Sequence, residues 1–167
     1  MLEGTVNEDS GIAVRDAFKV VNTYGVCPET EWIYDITKFT VHPPLNAVKD
    51  ARNNIPQFKY FSVSQNLNSF KNMLIQGFPI VFGMQVYESF ESDEVAKTGI
   101  VPMPKPNEQA IGGHSMCIYG YDDTKQTFLV MNSWGTSFGD SGFVYIPYEY
   151  LLDPNQASDF WCITFFQ

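Results

Sequence analysis

Residues 112–142 read GGHSMCIYGYDDTKQTFLVMNSWGTSFGDSG, and the rest of the chain is interpreted from this stretch. It places His114 at the head of one apolar strand and Asn132 just past the end of the next strand, Thr127–Met131. An Asp-Asp turn joins the two strands, which makes them antiparallel neighbours. The two side chains can therefore meet across the strands although they are distant in sequence.

A histidine and an asparagine in this arrangement suit acid–base chemistry. A neutral imidazole acts as a general base only when its tautomer is fixed, and a carboxamide oxygen that accepts one ring N–H fixes it without adding charge. Trp134 follows two residues later and could lie over this hydrogen bond, which keeps water away. Glycines at 135, 139 and 142 allow a tight turn beneath the indole. An isolated histidine on an apolar strand is usually a core residue. Here, however, the histidine, the asparagine, the tryptophan and the glycines occur together in one short stretch.

These residues resemble the papain-like cysteine peptidases. GGHSMCIYGYDD is similar to the histidine strand of that family, and NSWGTSFGDSGFVYIP is similar to its asparagine segment and the following hairpin. The resemblance implies that His114 is the catalytic histidine, that Asn132 orients it, and that Trp134 shields the pair and borders the primed side of the cleft. Phe138 stands where the family usually has a second tryptophan.

The resemblance extends to the start of the chain. DSGIAVRDAFKVVNTYGVCPETEWIYD is similar to the family's left-hand segment, and its apolar spacing predicts a helix that ends at Tyr24-Gly25 with Asp9 or Ser10 as its N-cap. In the family the turn before this helix lines the substrate cleft. By the same resemblance we expect cleft residues here and beside the histidine, namely Asp9, Ser10, Gly11, Gly113 and Ser115. Ser115 is the position most suited to tuning specificity.

The predicted fold is α+β and papain-like. Residues 1–57 are interpreted as a truncated helical half, and residues 58–167 as an essentially complete antiparallel β-barrel half with about six strands and one helix between the first two. Together they form one compact unit. Residues 88–109 are expected to be a long loop, which either overhangs the cleft or is a plain surface excursion.

Composition excludes several classes of protein. The 167 residues carry a net charge of −9 with only 10 Lys and Arg, so a nucleic-acid partner is not expected. The longest apolar runs, such as Ile80–Met84, are far too short to span a bilayer. The three cysteines have no metal-ligand spacing, and the pattern calls for no metal and no cofactor. Nothing in the sequence indicates a compartment.

The nucleophile expected from the resemblance is missing from these residues. Family members carry it in a Gln–Gly–x–x–Gly–x–Cys segment that opens a long helix, and the 167 residues contain no such segment. Cys27 follows a helix end and precedes a proline, so it lacks the helix N-terminus that favours a thiolate. Cys117 is three residues from His114 on a strand and faces the other side of the sheet. The glutamine that contributes to the oxyanion hole is missing with the segment.

Three explanations remain open at this point. The chain is a C-terminal part of an active cysteine peptidase, a shortened relative that only binds a peptide or a protein partner, or one half of a split enzyme. All three predict that the absent helix leaves an apolar patch near Val14, Phe18 and Trp32, which favours self-association or a partner chain. If the chain is part of an active or a split enzyme, the expected substrate is a peptide or a protein.

Overall fold

The computed structural model describes Gly4, Asn7 and residues 11–165, and it divides into two compact units. The first unit runs to Lys59 and includes Phe165 near the chain's end, and the second comprises Tyr60–Thr164. The longest described helix has 11 residues, and no described helix is long and apolar enough to cross a membrane.

The first unit is built on two helices. Helix α1 spans Val14–Tyr24 and helix α2 spans Leu45–Asn53, with a short 3-10 helix at Ile36–Lys38 between them. The N-cap of α1 is Ala13, so the predicted caps Asp9 and Ser10 are wrong for this helix, and both residues lie outside the described part of the chain.

The end of α1 explains why glycine stands at position 25. Gly25 has a φ of 76°, and a Cβ there would lie 1.7 Å from the carbonyl oxygen of Ala51 in α2. Only glycine allows the two helices to approach so closely with this backbone conformation. The predicted helix end at Tyr24-Gly25 agrees with the structure.

A six-stranded sheet dominates the rest of the chain. Its strands occur in the order β1-β6-β2-β3-β4-β5, and the described pairs of neighbours are antiparallel. The strands and helices, in chain order, are β1 Phe58–Ser62, α3 Leu67–Ile75, β2 Ile80–Tyr87, α4 Asp93–Thr98, β3 Ala110–Asp122, β4 Thr127–Met131, β5 Phe143–Pro147, α5 Tyr148–Leu152 and β6 Ala157–Phe165.

This architecture confirms the α+β class, the six strands and the helix between the first two strands. The prediction of a barrel is wrong in one respect: β1 and β5 lie at the two ends of the strand order, and the sheet is open across the described residues. The alternation of apolar residues predicts strands, but it does not determine whether the first and last strands close on each other.

The core of the second unit lies on one face of the sheet. Phe70 of α3 is fully buried, with its ring centroid 4.6 Å from that of Phe160 and 5.6 Å from that of Phe128. Phe82 stacks on Phe160 with 5.5 Å between ring centroids. Asn66 caps α3, its side-chain oxygen accepting the backbone N–H of Ser69 at 2.9 Å. The cap satisfies one of the backbone N–H groups that have no partner within the first turn of α3.

The structure corrects two expectations near the histidine. Residues 88–109 are not a plain loop, because they contain a 3-10 helix at Glu88–Glu91 and helix α4. His114 is not at the head of its strand either, since β3 begins at Ala110. The two glycines before His114 pair with β2 and extend the ladder, because strand hydrogen bonds need no side chain.

The prediction of an exposed apolar patch near Val14, Phe18 and Trp32 is corrected in part. Val14 is buried, and the Phe18 ring packs edge-on against Phe58 at 6.0 Å, so these residues do not form an exposed patch. Trp32 is half-buried. The large exposed side chains of the first unit include Ile12, Tyr24 and Val26 at the two ends of α1, and a further six between α1 and the start of α2: Ile33, Tyr34, Ile36, Phe39, Val41 and Leu45. We refer to these six residues as the apolar face.

Candidate active site

Strands β3 and β4 bring His114 and Asn132 together. Cys117 pairs with Met131, the last residue of β4, so Asn132 leaves that strand alongside the segment that carries the histidine. The Nε2 atom of His114 lies 2.8 Å from the Oδ1 atom of Asn132. Asn132 is 8% exposed and is the buried polar residue among those described.

A second hydrogen bond identifies the tautomer of His114. The backbone N–H of Ser133 donates to Asn132 Oδ1 at 2.8 Å, and an N–H can donate only to the oxygen of the carboxamide. That oxygen faces His114, so Nε2 must be the donor in the bond between the side chains. In the neutral imidazole the proton is then on Nε2, which leaves the lone pair of Nδ1 available to accept a proton.

Trp134 covers one face of the histidine. The two rings stack with 5.0 Å between centroids and 28° between planes, and Trp134 is 39% exposed. The stacked indole restricts the imidazole to the plane in which Nε2 reaches Asn132. It also keeps water from that hydrogen bond, which strengthens the bond in a drier local medium.

A glycine-containing turn holds Asn132 and Trp134 in place. The backbone N–H of Asn132 donates to the carbonyl oxygen of Gly142 at 2.9 Å, which closes the turn. Gly139 within it has a φ of 64°, and a Cβ there would lie 2.3 Å from the carbonyl oxygen of Phe143. The predicted use of glycine in this turn thus has two causes, a left-handed backbone and a close approach.

Phe90 supports Trp134 from behind, and sequence reasoning missed it. This side chain is 1% exposed and comes from the 3-10 helix after β2. Its ring contacts Trp134 edge-on at 5.6 Å and stacks with Phe138 at 6.2 Å, while Trp134 and Phe138 meet edge-on at 4.8 Å. A single aromatic residue in an apparent loop carries no periodic signal, so only the fold reveals its role.

The segment that carries Phe90 is fastened to the turn by backbone hydrogen bonds. Gly139 N–H donates to the carbonyl oxygen of Ala96 at 2.8 Å. Farther along, Tyr145 N–H donates to Gly99 at 2.7 Å, and Val101 N–H donates back to Tyr145 at 3.0 Å. Residues 88–101 therefore form a platform that packs against the turn below Trp134.

The predicted cleft residues are not all placed together. Gly113 and Ser115 flank His114 on β3, are exposed, and pair with Gln85 and Gly83 of β2. Gly11 lies in the first unit, where it is exposed with a φ of 71°. Asp9 and Ser10 lie outside the described residues, so their position in a cleft stays a prediction.

The three cysteines differ in their surroundings. Burial raises the pKa of both the Cys117 thiol and the Cys162 thiol to about 11, so each is neutral at pH 7. Strand alternation places Cys117 on the face of β3 opposite to His114. Cys27 lies between Gly25 and the 3-10 helix, and no helix begins at it. Among the described residues no group of three or more His, Cys, Asp and Glu side chains is arranged to hold a metal.

Comparison with known proteins agrees with this geometry. The family model for papain family cysteine proteases matches residues 7–153. The crystal structure of xylellain, a cysteine protease from Xylella fastidiosa, is similar with a TM-score of 0.87 and 36% identity over 99% of this chain and 66% of that chain. A cysteine protease of Carica candamarcensis, solved in complex with E-64, shares the fold at 17% identity and a TM-score of 0.53, over 78% of this chain and 56% of that chain.

A curated relative also matches nearly the whole chain. The uncharacterized peptidase C1-like protein L477 of Acanthamoeba polyphaga mimivirus is 46% identical over 170 residues, which cover 98% of this chain and 55% of the relative. The chain thus spans about half the length of that relative. The family match, the fold and the paired histidine and asparagine agree, and the chain belongs to the papain family of cysteine proteases.

Proposed function

We propose that this chain carries the histidine and asparagine of a papain-type peptidase, which hydrolyses peptide bonds by a Cys-His-Asn mechanism, and that the chain is inactive in isolation. The observation that supports this most directly is the pair of hydrogen bonds on Asn132 Oδ1, from His114 Nε2 and Ser133 N–H. They leave His114 Nδ1 as the proton-accepting atom. A base with a defined tautomer is what an adjacent thiol requires.

The proposed reaction uses His114 Nδ1 twice. It first takes the proton of a thiol, and the thiolate attacks the peptide carbonyl carbon while the imidazolium returns that proton to the departing amine nitrogen as the C–N bond breaks. A water molecule then gives a proton to Nδ1 while its oxygen attacks the thioester carbon. The C–S bond breaks to release the carboxylic acid, and Nδ1 returns its proton to the sulfur, which restores the thiol. Asn132 keeps the ring oriented throughout, and Trp134 limits the access of water.

The thiol is proposed to come from a segment outside these 167 residues. The sequence contains no Gln–Gly–x–x–Gly–x–Cys stretch. Cys117 and Cys162 have raised pKa values, so neither is a ready nucleophile. The chain covers 55% of its curated relative and 66% of xylellain, so each relative has room for such a segment.

The substrate cleft is proposed to pass beside His114. Gly113 and Ser115 would border it on β3, and a role for Asp9, Ser10 and Gly11 in substrate binding stays a prediction from the family resemblance. Ser115 is exposed and lies opposite Gly83 across the strands, so a short hydroxyl side chain faces a position without a side chain. The family resemblance is the basis for proposing Ser115 as the residue that tunes specificity.

The test is to express the longest in-frame product that extends upstream of Met1. If that extension contains the cysteine segment, we expect thiol-dependent hydrolysis of peptides and covalent labelling by a thiol-directed probe. His114→Ala should then lower kcat/KM by about 10³-fold, as expected for loss of a base that activates a nucleophile. His42→Ala is the matched control, because it removes the other histidine without affecting the pair. A thiol-bearing product that neither hydrolyses peptides nor reacts with the probe refutes the proposal.

The second candidate function is that of an inactive papain-like module that binds a peptide or a protein partner. The apolar face favours it, because six large side chains are exposed on a small unit. A groove of about 570 Å³ runs along most of the same residues, and its lining also includes Trp32 and Pro43. A partner chain or a second copy that covered this face would remove it from water.

This alternative is tested on the chain as it stands. Light scattering should detect self-association that Ile33→Ser and Leu45→Ser reduce, whereas Ile75→Ser in α3 should not, although Ile75 is equally exposed. Calorimetric titration with cleft-sized peptides should release or absorb heat. A monodisperse monomer that gives no heat with peptides contradicts the binding function. An upstream nucleotide sequence without the cysteine segment would favour it, or a split enzyme, over the active peptidase.

A further inference from the structure

We propose that Glu108 is a positioning residue for His114, acting through Ser89, Phe90 and Trp134. The importance of this role for catalysis rests on the proposed function, whereas the effect of Glu108 on the His114 imidazole does not depend on that function. Nothing in the sequence around Glu108, between a proline-rich segment and β3, distinguishes it from a solvated surface carboxylate. Three contacts lead from the carboxylate to the histidine.

The first contact joins two segments that are distant in sequence. Glu108 Oε1 accepts the backbone N–H of Ser89 at 2.7 Å, and Oε2 accepts that of Lys105 at 2.8 Å. The N–H of Glu108 in turn donates to the carbonyl oxygen of Lys105 at 3.0 Å. These bonds to the carboxylate lower the pKa of Glu108, so both oxygens are available as acceptors at neutral pH.

The second contact concerns the element that Glu108 holds. Ser89 lies in the 3-10 helix Glu88–Glu91, which has only four residues. A 3-10 helix of this length has poor hydrogen-bond geometry and needs external support. Phe90 follows Ser89 directly and is 1% exposed, so the carboxylate restrains the backbone from which this aromatic ring projects.

The third contact transmits the restraint to the active site. The Phe90 ring meets Trp134 edge-on at 5.6 Å, and Trp134 stacks on His114 at 5.0 Å. If the 3-10 helix shifts, the indole loses the surface against which it packs. The imidazole then gains freedom to leave the plane in which Nε2 reaches Asn132, and water gains access to that hydrogen bond.

The experiment observes His114 directly in the 167-residue chain by ¹⁵N NMR. The chain has two histidines, so His42 serves as an internal reference. We expect Glu108→Ala to speed the exchange of the Nε2 proton with solvent by about tenfold. A change of this size corresponds to the loss of about one hydrogen bond's net free energy. Glu108→Gln should have a smaller effect, because its carboxamide oxygen still accepts one N–H.

Two controls separate positioning from a general stabilising role. Glu91→Gln removes an exposed carboxylate from the same 3-10 helix and should leave the exchange rate unchanged. In a Phe90→Leu background the effect of Glu108→Gln on exchange should vanish, because the proposed contact through the ring is gone. Glu108→Gln alone is sufficient if Glu108→Ala does not fold.

The proposal is overturned if Glu108→Ala, or Glu108→Gln where Glu108→Ala does not fold, leaves the exchange rate of His114 as it was, whatever its effect on the urea midpoint. It is also overturned if the Phe90→Leu background retains the full effect. Neither result depends on a nucleophilic thiol, so failure here is distinct from failure of the proposed peptidase function. In a thiol-bearing product that is active, Glu108→Gln should lower kcat while KM stays the same.

Discussion

Asn132 is unusual because its side-chain oxygen accepts two hydrogen bonds while its amide nitrogen is buried with no hydrogen-bond partner among the described residues. A buried donor without a partner costs free energy. An aspartate would remove that donor, but it would also add a negative charge beside the imidazole. The carboxamide of Asn132 therefore lowers the stability of the fold somewhat, but it keeps the group that orients His114 neutral.

Replacement of Asn132 should release the histidine tautomer. In Asn132→Ala we expect His114 to change from the Nε2–H form to a mixture of both neutral tautomers, because no oxygen then selects Nε2. The same change should lower the free energy of unfolding by only about 1 kcal/mol or less, because Ser133 is exposed and its N–H can bind water, and because the unpaired amide of Asn132 is removed as well. ¹⁵N chemical shifts and urea unfolding measure the two effects, with Asn68→Ala in α3 as an exposed control. A dominant Nδ1–H form in the unmodified chain would contradict the assignment.

Gly139 should be among the least replaceable residues of the turn. Gly139→Ala combines a left-handed backbone with a Cβ 2.3 Å from the Phe143 carbonyl oxygen, and we expect a loss of roughly 3 kcal/mol or more. Gly77→Ala is a matched control, because its φ is 82° but no atom lies within 4 Å of the new Cβ. It should lose only about 1–2 kcal/mol. Equal losses in urea unfolding would show that the close approach has no effect.

At the scale of secondary structure, Asp123 connects three elements. Its carboxylate accepts from Lys71 of α3 and, at 2.9 Å, from the Tyr148 hydroxyl of α5, while Asp123 itself lies in the turn between β3 and β4. The Lys71 ammonium also lies 5.0 Å from the Tyr121 ring centroid. The cluster holds the connecting turn between two helices.

This cluster predicts a pH dependence of stability. The hydrogen bond from Lys71, and then that from Tyr148, lower the pKa of Asp123 below its usual 3.8. A lowered folded-state pKa means that the stabilisation is present above the unfolded-state pKa and is lost as the pH falls through the folded-state pKa. Asp123→Asn should therefore have a lower Tm than the unmodified chain at pH 6, and the difference should shrink below pH 4. Lys71→Met should likewise reduce the dependence of Tm on pH. Parallel curves of Tm against pH for the unmodified chain and both variants would contradict this prediction.

At the scale of the whole molecule, the two units differ in how much apolar surface they bury. Among described residues the first unit buries Val14, Ala47 and Phe58, whereas the second contains the continuous core around Phe70 and Phe82. Local stability follows the apolar contacts that an element makes. The first unit should therefore open more readily than the second.

Hydrogen exchange of the full chain tests this difference. We expect amides of β2, β3 and β4 to exchange only through global unfolding, and amides of α1 and α2 to exchange through local opening at a free energy lower by roughly 2 kcal/mol or more. The comparison needs no variant, because the two units are present in the same molecule. Equal protection in α1 and β2 would indicate that the chain unfolds as a single cooperative unit.

Much of this fold was predictable because its signals are local. Helix α1 ends where Tyr24-Gly25 predicts, and β4 has the predicted bounds Thr127–Met131. The family was also predictable, because the glycines, the histidine and the Asn-Ser-Trp-Gly segment occur together in one short stretch. Residues 88–109 were harder, since their short helices are held by contacts outside the segment.

The amino-acid sequence was sufficient to predict the α+β class, the family, and the residues of the candidate pair, because each depends on side-chain type and short-range spacing. The three-dimensional arrangement was needed for the rest: the open sheet, the proton on His114 Nε2, the packing of Phe90 behind Trp134, and the contact of Glu108 with Ser89. These features join residues far apart in the chain, and such contacts arise only when the strands have paired and the core has packed.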